Sequence, residues 1–207
     1  MLDQTLLKII RLYKASFNIK LFLLLRNLHL SYSRIESLVP GKGLIIDLGC
    51  GYGFFPNLLA YKSQERDIIG IELSKRKIKY ADVGFTNTEF VNEDIQQLEI
   101  ADCDTIVLVH VLHHLPSFES QEELLMECYE KLRKGAKIIV VEIDLRLLCK
   151  FWFTKFIDHV LYFGDKFYFR NQEQTRELLK KTGYREVNAF PFHEYSVLSH
   201  FVCTGIK

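Results

Sequence analysis

The sequence predicts an α/β fold, a sheet with parallel strands at its centre and helices on both faces. Three observations carry that prediction. Short apolar runs at 44–48, 68–71, 105–109 and 136–142 alternate with stretches of helical period, the order that successive βα units produce. The first of these runs ends in an acid followed by glycines at alternate positions, which is how a buried strand turns sharply into a helix. After the last helical stretch, 184–192 and 195–206 follow as two consecutive strands, joined near Pro191 and His193.

Bulk properties exclude several classes. At 207 residues with 48% apolar content, the chain is long enough to bury a real core and too apolar for general disorder. A net charge of +1 supplies no global field for nucleic acid, so such affinity would need local patches. Cys50, Cys103, Cys128, Cys149 and Cys203 are odd in number and form no C-x-x-C pair, which argues against a disulfide framework or zinc ribbon and for a reducing compartment. The apolar run 21–25 is too short to span a bilayer, so the expected location is the cytoplasm, with a membrane's inner face as a peripheral site. No internal repeat or linker divides the chain, and one domain over 1–207 is expected: an arm at 1–39, a core at 40–144, an insertion at 145–170 and a closing segment at 171–207.

The arm is basic and amphipathic. Leu2, Leu6, Ile9, Ile10, Tyr13, Phe17, Leu21, Leu24, Leu25 and Leu28 recur near the helical period, with Lys8, Arg11, Lys14, Lys20 and Arg26 between them. Two readings stand: a helical cap over one edge of the core, or an interfacial helix on anionic lipid that also covers an apolar substrate. Pro40-Gly41-Lys42-Gly43 breaks the helix ahead of the first strand.

That strand, Leu44-Ile45-Ile46, delivers Asp47-Leu48-Gly49-Cys50-Gly51-Tyr52-Gly53. Glycine there permits positive φ and lets a ligand approach the main chain, while Asp47 supplies a fixed carboxylate at the strand end. The spacing is G-x-G-x-G behind an acid, whereas the dinucleotide fingerprint is G-x-G-x-x-G. The stretch resembles motif I of the class I S-adenosylmethionine-dependent methyltransferases. That resemblance implies a Rossmann-like, seven-stranded, mostly parallel sheet closed by a C-terminal antiparallel hairpin, with S-adenosyl-L-methionine as cofactor and Gly49, Cys50, Gly51 and Gly53 beneath it.

Later elements extend the resemblance in order. Pro56 suits the opening turn of the next helix, which Leu58, Leu59 and Ala60 continue. The strand 67–72 ends in Glu72 about 20 residues after the glycines, where a ribose partner belongs, and a carboxylate there selects an unphosphorylated ribose. Leu73 is counted with it among the donor contacts. In the family, an acid followed by an aliphatic residue meets the adenine, and Asp94 and Ile95 match those positions after the strand 89–93.

Thr105-Ile106-Val107-Leu108-Val109 has the unbroken apolar character of a central strand, with Asp104 at the entrance of a strand over 102–109. It leads into His110-Val111-Leu112-His113-His114-Leu115-Pro116, which resembles the "vLHHl" element of these methyltransferases. His110 stands where the family has a small or acidic residue and is counted with the donor contacts. Three histidines invite a metal reading, but no nearby cysteine or acid completes a shell, so no metal is expected. His113 and His114 are the candidate catalytic residues, with Glu142 behind them; the competing reading is that each is a packed, structural imidazole.

A helix over 122–133, closed by Lys134-Gly135 as a C-cap, precedes the strand 136–142, and "LRKGAKIIVVEID" resembles the family's fifth-strand element ending in Glu142 and Asp144. The insertion mixes Phe151, Trp152, Phe153, Phe156, Tyr162, Phe163, Phe167, Tyr168 and Phe169 with Arg146, Lys150, Lys155, Lys166 and Arg170. Such a mixture suits burial against the sheet, a lipid interface, a base-stacking surface or a lid over a hydrophobic acceptor. A helix over 173–182 with Gly183 as C-cap precedes the hairpin.

Together these residues lead to methyl transfer from S-adenosylmethionine to a small or lipid-like acceptor, at oxygen, by in-line displacement. Alternatives are an RNA methyltransferase, a silent donor-binding module and a nicotinamide-dependent oxidoreductase. The glycine spacing disfavours the last. Nucleic acid is not the expected partner, because no Asn-Pro-Pro-Tyr type element follows the fourth strand and the bases are interleaved with large apolar residues; reversible contact with an anionic membrane is.

Overall fold

The computed structural model of the chain describes residues 4–95, 102–144, 167–192 and 199–207. They divide into two compact units, 1–107 and 108–207. Strand order through the sheet is β3-β2-β1-β4-β5-β7-β6, seven strands.

The first unit opens with α1 (Gln4–Leu12), α2 (Phe17–His29) and α3 (Tyr32–Glu36), so the continuous helical reading of 1–39 is corrected to three pieces. The break at 13–16 falls where Tyr13 turns inward, 1% exposed, to bond the glycine loop. Leu6, Ile9, Ile10, Leu23, Tyr32 and Ile35 are buried, and Tyr32 packs its ring on Phe54 and Phe55 of the helix after the glycines. The arm therefore covers part of the core. Arg66, buried at the start of β2 (Arg66–Ile71), ties the end of α3 down: its guanidinium donates to Glu36 Oε1 at 2.8 Å and to the carbonyls of Val39, Pro40 and Leu59. A buried guanidinium with four acceptors avoids the desolvation cost of an unpaired charge.

Strand β1 (Gly43–Leu48) pairs in parallel with β2, which pairs in parallel with β3 (Thr88–Val91). Both β2 and β3 end before the acids that the sequence places at their tips, leaving Glu72 and Asp94 in the connections. Gly43, at φ +98°, lies where a Cβ would run into the Asp104 carboxylate at 2.6 Å, and that carboxylate accepts the Leu44 N–H at 2.8 Å. Helix α4 (Phe54–Lys62) starts directly after Gly53, with Pro56 in its first turn; the short α5 (Lys75–Ile78) follows Ser74. Strand β4 (Cys103–Val109) is buried through Thr105, Ile106, Val107 and Leu108, as its unbroken apolar run requires.

In the second unit a 3-10 turn (Leu112–His114) leads to α6 (Phe118–Lys131). This helix begins earlier and ends sooner than 122–133. Ser117 is its N-cap, accepting the Ser120 N–H at 3.1 Å, and the chain passes at Leu132 straight into β5 (Leu132–Ile143). Gly135 is thus not a helix cap. It takes φ +82° within the strand, and its N–H reaches Lys207 O at 3.0 Å.

Helix α7 (Gln172–Thr182) has a capping box between Asn171 and Gln174 and a left-handed Gly183 at its end. Strands β6 (Arg185–Phe192) and β7 (His200–Ile206) form the expected antiparallel hairpin, β7 pairing with β5. Pro191 lies in β6 opposite Phe201 rather than in the connection, which an edge strand tolerates. The expected second strand from 195 begins at His200; 193–198 lie outside the described residues, as do 145–166 of the insertion and Leu2 of the arm.

Candidate functional site

In the first unit, the turn after β1 gathers most of the donor residues. Gly49, Gly51 and Gly53 all take positive φ, at 73°, 61° and 72°. Gly53 is required by packing as well: a Cβ there would stand 2.6 Å from Ala81 and 2.7 Å from the Phe90 ring. At Gly51 the nearest heavy atom to an added Cβ is Glu72 Oε2, 4.0 Å away, so its backbone is open on that side.

Glu72, 8% exposed, bridges two chain segments with one carboxylate. Oε2 accepts the Gly51 N–H at 2.9 Å and Oε1 accepts the Ser74 N–H at 2.8 Å. Each oxygen retains a second acceptor site. Beside it Leu73 is 66% exposed, and Asn92 fixes its backbone by donating to Glu72 O and Leu73 O at 2.7 and 2.9 Å. Asp94 and Ile95 are half-buried.

Asp47 is 2% exposed, and burial pushes its carboxyl up to about 8; Glu72 raises it further, while the Arg26 guanidinium on α2 opposes the shift. Burial, with Asp47 and Glu72 nearby, holds the Cys50 thiol well above its usual range, so Cys50 contributes bulk and not a thiolate.

The sequence reading missed the supports of this loop. Tyr13 donates its hydroxyl to Tyr52 O at 3.0 Å. Asn57, fully buried, has Tyr13 Oη, Gly53 O and Ala81 O at 3.1, 2.6 and 2.7 Å from its Nδ2, three acceptors sharing two N–H groups. Phe22 of α2 meets the Tyr52 ring edge-on at 5.6 Å. Tyr13 counts as one more apolar residue in a periodic pattern, and only the polar Asn57 beside Leu58 and Leu59 hints at a buried hydrogen bonder.

The second unit builds the histidine turn. Glu142, 4% exposed, accepts the Val111 and Leu112 N–H groups on Oε1 at 3.1 and 2.8 Å, and its Oε2 lies 2.5 Å from His113 Nδ1. With an acceptor as partner, Nδ1 is the nitrogen that carries the proton. His113 is 2% exposed and stacks on Phe169 at 5.0 Å. His114 is exposed, its ring 4.2 Å from that of His113 and edge-on to Phe167 at 5.2 Å.

The last residues of the insertion, 167–170, are strapped over this turn. Tyr168 donates its N–H to His113 O at 3.0 Å. Buried Gln121 donates to Leu112 O and Tyr168 O at 2.9 and 2.7 Å, and Arg170 Nε donates to Gln121 Oε1 at 2.8 Å. Gln121 shares the inner face of α6 with Leu124, Leu125 and Cys128, so a polar residue on an apolar face was the available signal. His110 takes φ +58° and stacks on His200 at 4.9 Å, and its N–H donates to Val141 O. Asp144 donates its N–H to Ser199 O at 2.7 Å. Among the described residues no group of His, Cys, Asp and Glu is arranged to hold a metal.

Known proteins resemble the chain in the same places. Residues 46–140 match the model of the methyltransferase domain family. A carboxy-S-adenosyl-L-methionine synthase from Nautilia profundicola is 27% identical over 120 residues, 56% of this chain and 51% of that protein, so the chain matches only about half the length of this relative. The fold is similar to that of a SAM-dependent methyltransferase from Archaeoglobus fulgidus, with TM-score 0.69 and 19% identity over 86% of this chain and 93% of that one. It is similar also to magnesium protoporphyrin IX methyltransferase from Synechocystis, determined with bound SAH: TM-score 0.69 and 17% identity over 94% and 89% of the two chains.

Proposed function

From the match of residues 46–140 to the methyltransferase domain family and from the sheet order, we propose that the protein transfers the methyl group of S-adenosylmethionine to a small or lipid-like acceptor, at oxygen. The observation that carries the reading is the Glu72 carboxylate, fixed by the Gly51 and Ser74 N–H groups beside exposed Leu73. A ribose diol fits its remaining acceptor sites, and we assign the adenine to exposed Leu73 and to Asp94 and Ile95, the positions that the resemblance gives it. Asp47, held neutral by burial although the Arg26 guanidinium opposes the shift, suits the ammonium of an amino acid, whose positive charge would favour the ionised carboxylate.

When bound, the donor supplies a methyl group on a positively charged sulfur, already activated for displacement. The chain's own work is then mainly orientation, by the glycine backbone and Glu72, and good placement is worth roughly 7–11 kcal/mol of a barrier. For a hydroxyl acceptor, transfer would need a base to take the proton that the oxygen loses as it gains the methyl group, and exposed His114 is the residue we assign to that role. His113 and Glu142 position that base: Glu142 holds the turn by two N–H groups and His113 by its ring.

Among the described residues no two cysteines are joined in a disulfide, which suits a reducing compartment, and we propose that the reaction takes place in the cytoplasm, next to a membrane. No helix among the described residues is long and apolar enough to cross one. A second reading, favoured by the match to a carboxy-S-adenosyl-L-methionine synthase, is that the donor itself is the molecule modified.

Incubation with methyl-labelled donor in a lysate that includes membranes tests both. The proposal expects a labelled product other than the donor, lost with Glu72→Gln. A mass change on the donor with no labelled acceptor supports the second reading, and neither product nor donor binding overturns the first.

A further inference from the structure

From the exposed face of α2 we infer an interaction surface for an anionic lipid bilayer. Phe17, Leu21 and Leu25 recur at i, i+4 and i+8, one face of the helix, and are 76%, 39% and 47% exposed. Leu23 and Asn27 on the other side are 2% and 8% exposed, so the helix already has a buried face and the stripe is additional to it. Leu12, at the end of α1, is 45% exposed. At thirteen residues α2 cannot span a bilayer, but it is long enough to lie in the headgroup region.

Charge selects the partner. From residue 4 to residue 35 the chain has no aspartate or glutamate, while Lys8, Arg11, Lys14 and Arg34 are exposed. A run of rings links α2 to a second basic group: Phe22 of α2 meets Tyr52, Tyr52 meets Tyr80 at 6.4 Å, and Lys79 lies over the Tyr80 ring at 4.6 Å, close in sequence to exposed Lys75 and Arg76 of α5. An apolar stripe amid cations is what an anionic leaflet recognises. Nucleic acid would engage the cations but gain nothing from Leu21 and Leu25, since bases stack on aromatic faces and not on branched aliphatic chains. Each lysine or arginine near an anionic surface multiplies partitioning about fivefold, so three or four suffice for reversible attachment.

Co-sedimentation of the full chain with phosphatidylglycerol/phosphatidylcholine vesicles and with phosphatidylcholine alone tests this, at low and high salt. Binding to the anionic vesicles that falls at least tenfold on raising salt is expected, with a further loss of tenfold or more in the combined variant Phe17→Ser, Leu21→Ser, Leu25→Ser. Melting temperature and S-adenosylhomocysteine affinity, both expected to be unchanged in that variant, show that it folds. In Phe17→Trp, fluorescence quenched by brominated acyl chains is the second readout. Absence of anionic-vesicle binding, or binding indifferent to the triple substitution, overturns the inference. Vesicle-independent binding of single-stranded RNA would assign the basic groups to nucleic acid, and self-association abolished by the triple substitution would assign the stripe to a second copy. None of these results depends on turnover.

Discussion

Asp47 and His113 are both buried, yet their surroundings assign them opposite duties. Asp47 has a folded value of about 8 against an ordinary 3.8, so the donor-free folded protein keeps a proton that the unfolded chain releases. Its stability therefore falls as pH rises from about 4 towards 8, by up to about 1.4 kcal/mol per pH unit from this group, and levels off above 8. Asp47→Asn should flatten that slope and raise the donor-free melting temperature at pH 7.5, while weakening the donor; thermal melts from pH 5 to 9 with parallel slopes in both proteins would contradict it. His113, stacked and bonded to Glu142, should behave as a support. We expect His113→Ala to melt early, by about 1–3 kcal/mol of lost stability for the orphaned Glu142, and His114→Ala to melt normally with turnover down 100-fold or more on a hydroxyl acceptor. Rates and melting curves of the two variants decide between these roles. In sequence the two histidines are adjacent and equivalent, and only the backbone turn at 112–114 separates an inward ring from an outward one.

At the scale of elements, the strand ends and glycine turns were readable because their signals are local: apolar run, acid, glycine, all within a few residues. The devices that hold them were not, because they join distant positions. Tyr13 is 39 residues from Tyr52, and Arg170 is 49 residues from Gln121. The first contact makes α1 part of the donor loop's support. Tyr13→Phe leaves Tyr52 O without this hydrogen-bond donor and should cost about 1–2 kcal/mol of stability, with weaker donor binding; a melting temperature and affinity equal to wild type would remove it from that role. The end of α6 shows the reverse failure. Lys134-Gly135 is a sound C-cap signal by composition, yet the glycine's positive φ is used inside β5, where its N–H meets the last residue of the chain.

For the whole molecule, the seven strands and the closing antiparallel hairpin match the expected sheet, and the two compact units divide the named chemistry between them: the glycine loop and Glu72 in one, the histidine turn and Glu142 in the other. Ligand linkage gives a global readout. A donor at 100 times its Kd stabilises the state that binds it by about 2.7 kcal/mol, roughly 5–10 °C for a chain of this size. The most direct test of the central claim is calorimetric titration of S-adenosylmethionine into the wild-type chain and Glu72→Gln. The account predicts one-site binding to the wild type and affinity lower by 10- to 100-fold in the variant, the range for hydrogen bonds to a charged group. No heat of binding at millimolar donor, or equal affinity in the two proteins, would contradict it.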